Sequence, residues 1–588
     1  MSKTIYNILI AALAGLITAA LFLLQETPVA DSVAYGLLST VFFYALLLPS
    51  VFTRLKHYCC DIDWAEELAQ SYQRIPAAYR QSFWLLFALI NLAFLFHTVN
   101  FMWGGTDWSA VRTTIDPNES LADGRFSAFW LQQLLFNGKI LPVINNLWAF
   151  LGLSLAGVFL AIYWNLPQKT SVIVLTGLLL SVNPYTLSWL YSAKNTLGSL
   201  WLPAISLGAL LLADTKTQSQ NRNFANYLTS VMMTLFVLGS YLPAVNFIAV
   251  AILGKVFLKT AYADISLKDA FLRVRQSLAN LTAAIMVYLL IMSLLKDSGV
   301  LAAPFSLTAP ITACWFNLPL LFKSAVGQFA GVLPFVDVSY QFLFIVLLLS
   351  AVFTVIFNTP SGQTAARSLS LVPLIIIASK ISVLFCTTPA DVAEYSAQIN
   401  FYSLPLIYAL MFITLIRLGG NKMRRFAYVL TTILVLMGFV RVAYAQKVWK
   451  FGWDAETKLA ERIITRLEKM PEFDINRQYK LLQIGEMSLR KKYYLAKAGE
   501  QANGNLLQKS YYPAGNAKDA YNFYYQTDFL SADATAAEAA ANPAIREYIL
   551  TRARPYPAPE SIWIYGDYII LTLTPSALSH LQSTLTSN

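Results

Sequence analysis

Between two strongly apolar runs stands GGTDWSAVRTTIDPNESLADGRF, residues 104–126, which carries Asp107, Asp116, Glu119, Asp123 and two arginines. Asp107 follows directly on an apolar run and is flanked by Phe101, Trp103 and Trp108. Aromatic residues at such a position form the ordinary belt at a membrane surface. They also make a low-dielectric wall and a flat face for a sugar ring. A carboxylate held there can take a proton from a hydroxyl group and turn it into a nucleophile; the plainer reading of the same residue is a solvated loop acid. Asp116 and Asp123 are reserve candidates. Asp116 precedes Pro117 and Asp123 precedes Gly124, so both suit turns. Arg125 is a natural partner for a phosphate or a carboxylate.

The segment belongs to a loop of about 44 residues, 103–146, long enough to expect function or disorder of it. Within it Phe126, Phe129, Trp130, Leu134 and Leu135 recur at helical spacing, which predicts an amphipathic helix lying on a membrane surface. Other loops add cations and aromatic rings. Residues 183–195 hold Asn183, Tyr185, Trp189, Tyr191 and Lys194, and residues 296–337 hold Trp315, Phe316, Phe322 and Lys323, with no charge between Lys296-Asp297 and Lys323, and read as surface-lying helices. Lys380 sits inside an apolar run, where an ionisable group is either functional or snorkels to the interface. Arg441 has the same ambiguity.

The elements that must position these residues are membrane helices. The chain of 588 residues is 57% hydrophobic and only 13% charged, and its mean hydropathy is +0.53. A soluble domain carries about 25% charged residues. Thirteen apolar runs are read as spans, near 5–24, 33–52, 83–102, 147–164, 171–187, 196–212, 228–241, 244–260, 277–295, 338–357, 368–385, 404–416 and 426–445. The first reads as a retained helix rather than a removed signal peptide. The seventh and eighth meet at GSYLPAVNF, which is either a tight turn or a kink. Lys and Arg number seventeen in one set of loops, Lys255 and Lys259 among them, against six in the other; this puts the N-terminus in the cytoplasm and the acidic segment outside. The net charge of +11 is thus largely topological and does not point to nucleic acid. Cys59, Cys60, Cys314 and Cys386, with His57, His97 and His580, show no metal-ligand spacing; Cys314 and Cys386, both in outer loops, could pair.

An odd number of spans exports residues 446–588, a small α/β domain. Its DAETKLAERIITRLEKMP predicts a helix with Asp454 as N-cap and a stop at Pro471. QYKLLQIGE predicts a strand, and SIWIYGDYIILTLT a hairpin turning at Gly566-Asp567. The expected organisation is therefore a transmembrane catalytic domain, 1–445, with outer loops 103–146, 183–195, 296–337 and 386–403, followed by a periplasmic domain.

One chemical picture joins these features. Lys194, Lys323 and Lys380 would hold a lipid phosphate, an apolar loop would hold the lipid tail, and Asp107 would activate an acceptor hydroxyl. The chain also resembles a known family, the serotype-converting bacterial O-antigen glucosyltransferases, within the C-type membrane glycosyltransferase fold. The resemblance rests on Thr106-Asp107-Trp108, on Asp123-Gly124-Arg125-Phe126, on the NPYTLSWLYSAKNTLGSLWLPAISLGALLL block and GSYLPAVNF, and on AERIITRLEKMPEF with YKLLQIGE. It implies an inverting transfer at the periplasmic face of the bacterial inner membrane, from an undecaprenyl-phosphate-linked sugar to a surface glycan or a secreted protein, with no cofactor and no essential metal. It also implies Asp107 as general base and Arg125 as the downstream basic residue; Trp108 and Tyr191 are, from their positions in the outer loops, candidates for substrate binding. The chain departs from the family in having Thr106 where a second acid is frequent, and Lys194-Asn195 where an Asp is usual.

Two other classes fit part of the pattern. A flippase or exporter of lipid-linked oligosaccharide would be expected to spread charges through several spans and to show related halves. An O-antigen polymerase or ligase would be expected to rely on outer-loop arginines, of which there are two here, Arg112 and Arg125.

Overall fold

A computed structural model describes residues 72–103, 125–128, 130–190, 193–215, 220–297, 317–327, 338–385, 402–485, 518, 521–522, 525–531 and 541–587. The chain divides into two compact units, Met1–Ala77 and Ala78–Asn588; the helical bundle and the sheet lie in the second. The first two expected spans and the Cys314 and Cys386 positions lie outside the described residues.

The bundle is built from α1 (Ala77–Val99), α2 (Trp130–Phe136), α3 (Pro142–Tyr163), α4 (Thr170–Ser181), α5 (Pro184–Leu190), α6 (Ala193–Asp214), α7 (Gln220–Ser240), α8 (Ala244–Ala263), α9 (Leu267–Arg273), α10 (Arg275–Asp297), α11 (Val338–Asn358), α12 (Gly362–Ala378), α13 (Ser403–Leu418) and α14 (Asn421–Leu467). Among the described residues six helices are long and apolar enough to cross a membrane: α1, α3, α6, α8, α10 and α14. α4, α12 and α13 are shorter apolar helices.

Their outer faces carry the signature of a lipid solvent. On α1, Leu86, Ile90, Ala93, Phe94 and His97 are buried at helical spacing, while Trp84, Leu92, Leu95 and Phe96 are exposed on the other side. Facing water, such an apolar surface would be an aggregation hazard. Without a hydrophobic drive between helices, close packing at small residues has to hold them together. Leu86 is wedged between Gly157 of α3 and Gly177 of α4, where an added Cβ would lie 2.8 and 2.7 Å from its methyl groups. Trp164 likewise covers Gly254, and its indole N–H donates to the Ala251 carbonyl at 2.9 Å.

GSYLPAVNF contains a turn and not a kink within one helix. α7 ends at Ser240 and α8 starts at Ala244, and Lys255 of α8 bonds Asp214 at the far end of α6, so the chain has reversed. The expected surface helix starts later than its spacing suggested. Phe126–Ala128 form a turn, and α2 covers only Trp130–Phe136, with Trp130, Leu134 and Leu135 exposed and Gln132 buried.

The largest correction concerns α14. No helix begins at Asp454. One helix of 47 residues runs from Asn421 to Leu467, and Asp454 lies inside it, paired with Lys450 one turn earlier. Its length of about 70 Å is more than twice a hydrocarbon core of about 30 Å. The last turns become one layer of the α/β part. That part has four strands, β1 (Tyr479–Ile484), β2 (Phe529–Ser531), β3 (Ile562–Tyr565) and β4 (Tyr568–Thr572), in the order β2-β1-β4-β3. β1 runs parallel to both neighbours, and β3–β4 is the expected hairpin, with Gly566 at φ +56° where its turn needs a left-handed residue.

The strand period of two sends alternate side chains to opposite layers. Tyr479, Leu481, Ile569 and Leu571 join the core that includes Ala460, Ile463, Ile464 and Leu467 of α14. Leu482, Ile484 and Ile570 pack with α15 (Pro543–Thr551) and α16 (Pro575–Ser587). Beside α14, Tyr525 donates to the Thr457 carbonyl at 2.9 Å; burial, helped by nearby Glu461, pushes its phenol up to about 12.

Candidate functional site

Alternating helix directions bring to one end of the bundle the last turns of α1, α4, α7 and α12 and the first turns of α6, α8 and α13. Polar side chains collect there because each connection leaves backbone groups to be satisfied away from water. Asn183 closes the end of α4: its amide donates to the Leu179 and Leu180 carbonyls at 3.2 and 2.8 Å, and its carbonyl accepts from the Thr186 N–H at 3.2 Å. Asn246, one turn into α8, makes a reciprocal pair with Ser382, donating to its hydroxyl at 2.9 Å and accepting from its N–H at 2.7 Å. Ser403 donates to the Ser379 carbonyl at 3.0 Å, and Tyr402, fully buried in a left-handed conformation, interacts with Thr186.

Lys380 lies in this cluster, 1% exposed, in the turn between α12 and the 3-10 helix Ile381–Phe385. It therefore does not snorkel. Its neighbours Ser379 and Ser382 are the residues tied to α13 and α8, so the lysine is held on the seam between three elements.

The second feature is a clamp formed by Arg125, Phe126 and Ser127. Ser127 donates its hydroxyl to the Phe236 carbonyl at 2.6 Å and its N–H to the Gly239 carbonyl at 3.1 Å, and its oxygen lies 3.1 Å from the Ser240 hydroxyl. The Phe126 ring rests on Gly239 and stacks on Tyr288 at 5.9 Å. The Arg125 guanidinium stands over the Tyr241 ring at 5.5 Å, and Tyr241 meets Trp189 edge-on at 4.9 Å. A Cβ at Gly239 would approach two atoms of the Phe126 ring to 2.4 Å. Gly239→Ala is accordingly expected to evict that ring and to cost about 1–3 kcal/mol. Thermal denaturation in detergent checks this. Adding Phe126→Leu should recover part of the loss, and an unchanged melting temperature in Gly239→Ala would refute the wedge.

The start of the acidic segment is also anchored. His97, in the last turn of α1, stacks on Trp449 of α14 at 4.7 Å and donates its backbone N–H to the Gln446 side-chain carbonyl at 2.9 Å. Phe101 meets Trp103 edge-on at 5.0 Å. Asp107, Asp116, Asp123, Trp108 and Tyr191 lie outside the described residues, as does the Lys194 side chain, whose backbone is the second residue of α6. Of the expected site residues, Arg125 and Lys380 come to the same end of the bundle. Lys323 differs from Lys380 in being exposed, on the helical stretch 317–327 beside exposed Leu320, Phe322 and Val326.

Sequence reasoning missed Asn246, Ser382, Thr186 and Tyr402. The available signal was Asn246 as a lone amide in an apolar run. It also misplaced Lys255. This residue is inside α8 and buried, not in a loop. Its ammonium donates to Asp214 at 2.6 Å and lies 3.9 Å from the Tyr163 ring centre. Ser277 donates to the other Asp214 oxygen at 2.8 Å and receives the Tyr163 hydroxyl at 3.3 Å. This network ties α3, α6, α8 and α10 together at the bundle end opposite the Lys380 cluster.

No protein-family model, curated protein or solved structure matches the chain.

Proposed function

We propose that this chain is a membrane glycosyltransferase of about thirteen spans, with its N-terminus in the cytoplasm and its acidic segment and C-terminal α/β part in the periplasm. It moves a sugar from a polyprenyl-phosphate-linked donor to a cell-surface glycan or a secreted protein, at the bacterial inner membrane. The observation that carries the reading is the clamp. Arg125, two residues from Asp123, seats the end of the acid-rich segment on the same bundle end that buries Lys380, with Trp189 and Tyr241 as an aromatic wall. Cations at a membrane end suit a lipid phosphate, rings suit a sugar face, and a tethered carboxylate suits the acceptor hydroxyl.

In this mechanism Asp107 takes the hydroxyl proton. The acceptor oxygen forms a bond to the anomeric carbon as the bond from that carbon to the phosphate oxygen breaks. The configuration inverts, and polyprenyl phosphate leaves with its charge held by Arg125 and Lys380. The test is transfer of labelled sugar from a panel of polyprenyl-phosphate donors in membranes containing the full chain. Arg125→Gln is expected to raise KM for the donor at least tenfold. No transfer across the panel would sink the enzymatic reading.

One observation favours a second reading. A Lys255–Asp214 pair, the lysine buried within α8 and the acid half-buried at the end of α6, is the kind of helix-borne charge a transporter of lipid-linked oligosaccharide would carry. Movement of labelled donor across vesicles without transfer would select it.

A further inference from the structure

The extension of α14 beyond the bundle has two unlike faces. One packs on the sheet through Ala460, Ile463, Ile464 and Leu467. The other borders a groove of about 550 Å³ lined by Lys458, Glu461, Arg462, Thr465, Arg466 and Lys469. Steps of four residues put Lys458, Arg462 and Arg466 within an arc of about 80° on the helix, and Lys469 lies in the turn just after its end. Like charges at that spacing destabilise a helix unless something offsets them. Arg466 is engaged: its guanidinium donates to the Ala558 and Pro559 carbonyls at 3.0 and 2.6 Å. Among the described residues Lys458, Arg462 and Lys469, all exposed, have no carboxylate at ion-pair distance. Glu461 is the one acid in the lining.

We propose that this groove binds an anionic glycan, a polysaccharide bearing carboxylates or phosphates; that the anion is a glycan rests on the transferase reading above. Two positions narrow the choice. The extension leaves the bundle where His97 stacks on Trp449, at the end of α1 from which the acidic segment starts. The groove and Trp103, the residue before that segment, therefore lie at the same end of the bundle. Lys458 lies about 14 Å along the helix beyond Trp449, and the stripe continues outward from there. A polar headgroup layer is only about 5–8 Å thick and a Debye length about 8 Å. With the helix standing along the membrane normal, the stripe would lie in water, within reach of a long soluble polyanion and beyond a lipid headgroup.

The experiment uses the full chain in nanodiscs of zwitterionic phosphatidylcholine with fluorescent polygalacturonate as probe and neutral dextran as control. Polygalacturonate is expected to bind, with affinity falling as salt rises, and dextran is not. The triple variant Lys458→Gln, Arg462→Gln, Lys469→Gln should bind at least tenfold more weakly, with an unchanged melting temperature because the three side chains are exposed. Equal affinity in the triple variant overturns the proposal. So does preferential capture by phosphatidylglycerol vesicles over polygalacturonate, which would make the stripe a lipid-surface contact. Binding is read without any transfer, so a failed transfer assay strikes the enzymatic reading alone, and an unaffected triple variant strikes the groove alone.

Discussion

Asp107→Asn is expected to lower sugar transfer by about 10²- to 10⁴-fold while leaving donor binding in place, the range that general-base catalysis supplies. Trp103 is held at the end of α1 by its contact with Phe101, and α1 is pinned to α14 through His97 and Trp449. Four residues span at most about 14 Å, so the chain keeps Asp107 within that reach of Trp103. An amide has nearly the shape of the carboxylate and cannot accept the proton, so a fall in kcat without a matching rise in KM separates chemistry from binding. The measurement is initial-rate transfer at saturating donor with protein abundance controlled. A near-wild-type rate would remove Asp107 from the mechanism and transfer the role to Asp123, which Arg125 tethers to the Tyr241 ring end within two residues.

The second large effect is on stability. Lys255→Met should destabilise the bundle by about 1–3 kcal/mol, because it leaves the half-buried Asp214 carboxylate without its cation. The lost interactions include the 2.6 Å bond to Asp214 and the contact with the Tyr163 ring. Asp214→Asn alone should cost a comparable amount by stranding the lysine. The double variant Lys255→Met, Asp214→Asn should recover much of both losses, since neither charge remains. A double-mutant cycle on unfolding in detergent tests this. Simple additivity of the two single losses would show that the residues are not coupled. The cycle also bears on function: a transferase that uses the pair as a structural tie should keep its transfer rate in the stable double variant, and a transporter that moves charge through it should not.

Much of the helical architecture was legible from hydropathy. Each of the eleven later apolar runs coincides with a helix in the structure, and six of those helices are long and apolar enough to span. The hairpin at Gly566-Asp567 and the strand Tyr479–Ile484 were readable for a related reason, since turn residues and alternation are written locally. Asp454 misled because an N-cap residue type is informative only where a helix starts. Here the helix was already running, and the acid serves Lys450 one turn away. Arg125 and Lys380 were found as charges in unusual places. Their surroundings were not, because Tyr241 comes from the turn after α7 and Trp189 from α5, and Asn246 and Ser382 are separated by 136 residues.

By itself the sequence determined the membrane-helical class, the acidic segment between two apolar runs, and the strand and turn pattern near the C-terminus. These follow from properties that each residue or short window carries alone: transfer free energy, periodicity and turn preference. Only the tertiary structure decided that Phe126 sits on Gly239, that Lys255 is buried against Asp214, and that one helix joins the bundle to the sheet and leaves a cationic face free. Those outcomes depend on which distant side chains share a volume, and no local window contains that information.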